Sequence, residues 1–227
     1  MKWVTPIICF FVIGCSAPSV KQPQFKGGQM VEVVTLYETD TTGTMFLWER
    51  SDEKRPWRCV DTINVSVGRN GLAPADTTYL DHKREGDGCS PEGIFPLTRV
   101  FSYNVLNNLS MPFEQVDTND LCVDDGASVY YNMLIDRDTA QINDYNSFET
   151  MHRKDRQYAF GVWVDYNTPA IAGNGSCIFL HIWSSPGHPT SGCTAMAESD
   201  MLKLIHWLDA KQFPILYQHH LKPYENN

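Results

Sequence analysis

Residues 181–196 read HIWSSPGHPTSGCTAM, two imidazoles and a thiol in a stretch of Gly, Pro, Ser and Thr. Three chemistries use such residues. His181, His188 and Cys193 are three potential metal ligands, but six and four residues separate them, unlike the tight pairs of zinc sites. Cys193 is also a candidate disulfide partner for Cys177. The third chemistry is nucleophilic. A free thiol is only about 3% thiolate at neutral pH, so it needs a base or a positive environment. A loop that leaves at His181 and returns at Cys193 sets an imidazole beside a sulfur. His181 then takes the thiol proton and later gives it to a leaving amine. Gly192 lets the backbone approach a substrate carbonyl, and the amides of Gly192 and Cys193 face the developing oxyanion. We adopt this third reading and expect no metal and no organic cofactor.

These residues need elements to hold them. "GSCIFLHIW" reads as a strand that delivers His181. Upstream, "MVEVVTLYET", "TMFLWER" and "WRCVDTINVSVGRNG" read as a β-meander, with Val60, Ile63, Val65 and Val67 partly alternating with polar residues. "KREGDGCSPEGIFPL" reads as a loop running into a short strand, "SFETMHR" as a short helix, and "YAFGVWVDYN" as a strand. "ESDMLKLIHWLD" is the clearest helix, with Ser199 as its cap and Met201, Leu202, Ile205 and Leu208 on one face. "FPILYQ" reads as a last strand. The expected fold is a single domain, mainly β with a few helices.

The N-terminus bears on the compartment. "MKWVTPIICFFVIGC" has one Lys and an apolar run too short to span a bilayer. Val12, Ile13, Gly14 and Cys15 resemble a bacterial lipobox, which implies that Cys15 is lipidated and becomes the first mature residue. The alternative is an ordinary signal peptide with an incidental Cys. Residues 1–14 are then a lipoprotein signal, 15–28 a lipidated Cys and flexible tether, 29–220 the catalytic domain and 221–227 a tail. Ser16 after Cys15 resembles the signal for an outer membrane, so the domain is expected to face the periplasm on a lipid anchor. Export removes Cys9 and acylates Cys15, leaving five of the seven cysteines. Two disulfides and one free thiol is the natural arithmetic. The net charge of -9, with no Lys/Arg block, disfavours nucleic-acid binding.

Two blocks resemble the L,D-transpeptidase catalytic domain family (YkuD-like). One is the His181-to-Cys193 segment ending Ser/Thr-x-Gly-Cys; the other is "EGDGCSPEGIFPL". "VGRNGLA", "CVDDGASVYYN", "SFETM" and "GSCIFLH" are similar to one bacterial branch. The resemblance implies a mainly-β YkuD-like fold, with Cys193 as nucleophile, His181 as base, and Thr190 and Gly192 as the small residues of the turn. It implies a peptidoglycan stem peptide as substrate, cut between its third residue and a terminal D-amino acid and joined to a second stem. Hydrolysis of the same acyl-enzyme, or a non-enzymatic disulfide-stapled wall-binding lipoprotein, are the alternatives. Ser191 stands where many members have His, and the His-to-Cys spacer is shorter than in many. His188 either fills the place left by Ser191 or is a solvated loop residue; Thr190, Ser191 and His188 are the candidate substrate contacts. Asp87, Pro91 and Gly93 are expected to shape a turn beside the cleft. Asp124, Asp125 and Glu149 are candidates for contact with substrate, one of the Asp pair with a substrate ammonium. His206, His219 and His220 are expected at the surface.

Overall fold

The computed structural model describes residues 25–222. The lipobox with Cys15 and the tether as far as Gln24 lie outside them. The strands are β1 (Gln29–Tyr37), β2 (Thr42–Glu49), β3 (Arg58–Ser66), β4 (Leu72–Pro74), β5 (Ser90–Ser102), β6 (Phe113–Gln115), β7 (Asp120–Val123), β8 (Met133–Asp136), β9 (Phe148–Thr150), β10 (Phe160–Val164), β11 (Phe179–Ile182), β12 (Thr194–Met196) and β13 (Ile215–Lys222). The helix α1 (Glu198–Trp207) precedes β13, with a single 3-10 turn at Ala210–Gln212.

Hydrogen bonding runs in the order β10-β11-β12-β3-β2-β1-β13-β5, and β5 pairs again with β10. The sheet therefore closes on itself and leaves the ring without a free edge. Alternation along each strand sends Val31, Val33, Met45, Leu47, Ile63 and Val65 to the inner core. Met30, Val34, Phe46 and Trp48 go to a second, outer cluster. Both faces are buried, which is why "MVEVV" shows no clean apolar-polar alternation. Each such side chain contributes about 1.5–3 kcal/mol on burial.

α1 buries Met201, Leu204 and Ile205. Leu204, not Leu202, completes its inward face. Its N-cap is Ala197, and no side chain caps it; Ser199 lies within the first turn and is exposed. Glu198 and Asp200 in that turn complement the helix dipole instead.

Four further expectations are corrected. "SFETMHR" is not helical: Phe148, Glu149 and Thr150 pair with Val123, Cys122 and Leu121 of β7. With β8 these strands form a small separate sheet, and that tertiary pairing overrides local preference. The "short strand" is the 13-residue β5. Pro91 and Gly93 belong to it, not to a turn, and Pro96 sits where pairing passes from β13 to β10. His219 is buried in β13, its Nε2 3.0 Å from Glu32 Oε1, beneath a stacked Tyr217 ring. His206 is exposed as expected, and His220 lies 3.2 Å from Glu92.

Candidate active site

His181 is the third residue of β11, and alternation separates it from Leu180 and Ile182, which enter the inner core. It shares a face with Phe179 and sits edge-on to the Tyr158 ring, centroids 5.1 Å apart. Cys193 directly precedes β12, which runs parallel to β11 with Leu180 opposite Thr194. Parallel neighbours need a long crossover, and residues 183–193 are that crossover. The register brings the thiol beside Phe179, whose N–H donates to Cys193 Sγ at 3.3 Å. The thiol in turn reaches the Cys177 carbonyl at 3.5 Å. Both His181 and Cys193 line one cleft of about 760 Å³.

Hydroxyls fix the turn that carries the thiol. Thr190 Oγ1 accepts from the Gly192 N–H at 3.1 Å and donates to the Cys193 carbonyl at 2.6 Å. Ser90 Oγ donates to the same carbonyl at 2.8 Å. The "VGRNG" turn braces the loop from below, with Arg69 N–H donating to Thr190 O and Thr190 N–H to Val67 O. Gly68 lets the same turn lie against the Gly88–Ser90 backbone, since a Cβ there would fall 2.3 Å from Gly88 O. At Gly192 a Cβ would press on Cys89 O at 3.1 Å, so the glycine keeps the turn close to its support. Its amide is spent on Thr190. Of the two amides expected to face an oxyanion, the Cys193 amide alone makes no hydrogen bond among the described residues.

Burial governs the electrostatics. Desolvation lowers the His181 pKa to about 4, with Arg153 adding to the effect against the bond to Ile182. His181 Nδ1 lies 2.8 Å from the Ile182 carbonyl. A carbonyl only accepts, so Nδ1 carries the proton and Nε2 keeps its lone pair. Desolvation also pushes the Cys193 thiol far up, helped by the negative charge of Glu149. The resting pair is thus thiol and neutral imidazole. Glu149 is itself raised to about 6 by desolvation, opposed by the hydrogen bond that it accepts from Tyr158 Oη.

The family model of the YkuD L,D-transpeptidase catalytic domain matches residues 35–216. The chain belongs to this family. No curated protein and no solved structure matches it. A mainly-β single domain is what the YkuD assignment requires, and it supports L,D-transpeptidase-family activity with peptidoglycan as substrate.

In this YkuD domain the other predicted residues fall at varied distances from the chemistry. Thr190 is a positioning group for the turn. Ser191 and His188 are exposed on the cleft rim, their side chains in no hydrogen bond among the described residues. Asp87 shapes a turn, accepting from the Cys89 and Arg84 amides and pairing with buried Lys83 at 2.7 Å. Asp125 accepts from the Ala127 and Asn146 amides, away from the cleft, whereas Asp124 and Glu149 line it. Cys193 is not in a disulfide; Cys177 pairs with Cys122. Cys89 is a second free thiol, against the expectation of one. Sequence reading missed Tyr158, Ser90 and Lys83. Ser90 lies inside the quoted "GDGCSPEG" block, so that block was the available signal; Tyr158 and Lys83 had none.

Proposed function

We propose that this protein is an L,D-transpeptidase that works through an acyl-enzyme on Cys193. The observation that carries the reading is His181: its Nδ1–H is tied to a backbone carbonyl, and its free Nε2 shares the cleft with the thiol. As substrate enters, the Cys193 proton passes to His181 Nε2 and sulfur attacks the carbonyl of the third stem residue. The Cys193 amide meets the oxyanion. Collapse breaks the bond to the terminal D-amino acid, whose nitrogen takes the proton from Nε2. An amine of a second stem then attacks the thioester, giving its proton to Nε2, and the restored thiolate takes that proton back. Thiolate, imidazole and backbone amide suffice for every step.

The exposed Ser191 and His188 leave the cleft mouth open toward solvent, where a second stem would approach. The test is mass spectrometry after incubating the protein with tetrapeptide-bearing muropeptides. A dimer linked between the third residues of two stems supports transfer. Tripeptide monomers alone replace it with an L,D-carboxypeptidase.

We also propose that Cys15 is lipidated and holds the domain at the envelope, facing the periplasm from an outer membrane. The "VIGC" run and Ser16 support this. Cys15→Ser is expected to block lipidation and maturation. Recovery of the wild-type protein in a soluble, unacylated form overturns it.

A further inference from the structure

We propose that Asp124 and Glu149 form a subsite for a side-chain ammonium group of the substrate, carried on the residue whose carbonyl meets Cys193. The inference rests on the acyl-enzyme reading for which bond is attacked, and on separate observations for what is bound.

Position comes first. Glu149 lies opposite Cys122 in the β7–β9 pairing, and Asp124 directly follows β7. The Cys122–Cys177 disulfide ties that strand pair to the residue whose carbonyl receives the Cys193 thiol. The two carboxylates are therefore held at a set place relative to the nucleophile, and both face its cleft.

Unmet bonding comes second. Asp124 Oδ1 is withdrawn from solvent and has no hydrogen-bond partner among the described residues. Buried carboxylate oxygens rarely stay so, and one that does asks for a donor from outside. Glu149 uses Oε2 for the Tyr158 hydroxyl, leaving Oε1. The neighbouring Asp125 shows the contrast: both of its oxygens accept backbone amides.

Charge comes third. Asp124 and Glu85 each push Glu149 toward its protonated form, and the Arg153 charge opposes them from a distance without a hydrogen bond to either Asp124 or Glu149 among the described residues. The cations nearby are committed elsewhere. Lys83 is paired with Asp87 at 2.7 Å, and Arg153 is held by Asp155, Nε to Oδ1 at 3.0 Å. Glu85 is itself committed, its Oε2 accepting from Tyr131 at 2.6 Å and Ser176 at 2.7 Å. A primary ammonium supplies both what Asp124 and Glu149 lack, three N–H donors and one positive charge. A neutral side chain at the same place would leave two desolvated carboxylates facing apolar surface.

The test measures binding, by calorimetry at neutral pH, to the Cys193→Ala protein. The probes are two tetrapeptides that differ only at the third residue, L-lysine against L-norleucine. The lysine peptide is expected to bind at least tenfold more tightly. Asp124→Asn and Glu149→Gln are each expected to erode that ratio. Equal affinity of the Cys193→Ala protein for the two peptides overturns the proposal, whatever the variants do. Because this protein cannot turn over, the result is independent of the reaction. A wild type that forms no acyl-enzyme sinks the catalytic reading and leaves this contrast standing.

Discussion

Proton transfer between His181 and Cys193 starts from two neutral groups, because burial disfavours the charged form of each. The thiol is raised and the imidazole is lowered to about 4. A depressed imidazole stays neutral, and able to accept a proton, until the pH falls through its own value. With norleucine at the third residue, which keeps Glu149 out of substrate binding, kcat/KM should hold down to about pH 5 and fall through about pH 4. An acid limb near the ordinary histidine value of 6.5 would contradict this. His181→Ala should lose about 10²–10⁴-fold in kcat/KM, the usual contribution of a positioned base. Thr190→Val removes the acceptor of the Gly192 amide and one of the two donors to the Cys193 carbonyl. Urea unfolding should show a loss of about 1–3 kcal/mol, with Thr190→Ser close to wild type; an unchanged midpoint for Thr190→Val would contradict the role. Cys193, His181, Thr190 and Gly192 were legible because one loop holds them all. Tyr158 and Lys83 were not, because they reach the cleft from separate segments, and the bond of Ser90 to the Cys193 carbonyl spans 103 residues of sequence.

Among the elements, the small β8-β7-β9 sheet depends on a few ties to the ring. The Cys122–Cys177 bridge closes a loop of 55 residues in separation. Asn132 Oδ1 accepts from the Cys177 amide at 2.9 Å, and Glu85 receives Tyr131 and Ser176. A crosslink of that span contributes about 4 kcal/mol in the chain-entropy view. The double variant Cys122→Ser, Cys177→Ser should unfold at lower urea by that order. It should also lose activity, since the Cys177 carbonyl contacts the thiol. Full activity in this variant would show that the small sheet does not position the site. The same sheet was the least legible part of the fold. "SFETMHR" carries helix-compatible spacing, and only pairing with β7 makes it a strand. The first three ring strands were readable from their β-branched runs and turns. The length of β5 was hidden by Pro91, Gly93 and Pro96, whose breaking tendency is absorbed as the strand changes partners.

At the scale of the whole molecule, a closed ring presents one cleft through which two adjacent parallel strands deliver base and nucleophile. The disulfide inventory is also a property of the whole chain. Alkylation of the unfolded, unreduced protein followed by peptide mapping should label Cys89 and Cys193 and recover Cys122 linked to Cys177. A blocked Cys193 that labels only after reduction would remove the nucleophile and restore the structural reading of the thiol. The central claim is that Cys193 becomes acylated. It is tested most directly by quenching the wild-type protein in acid within the first turnovers on a tetrapeptide and mapping the adduct by mass spectrometry. We expect a tripeptide acyl group on the peptide containing Cys193, lost on treatment with hydroxylamine and missing from Cys193→Ala. Tetrapeptide consumed with no adduct on Cys193, or consumed equally by Cys193→Ala, would contradict the account.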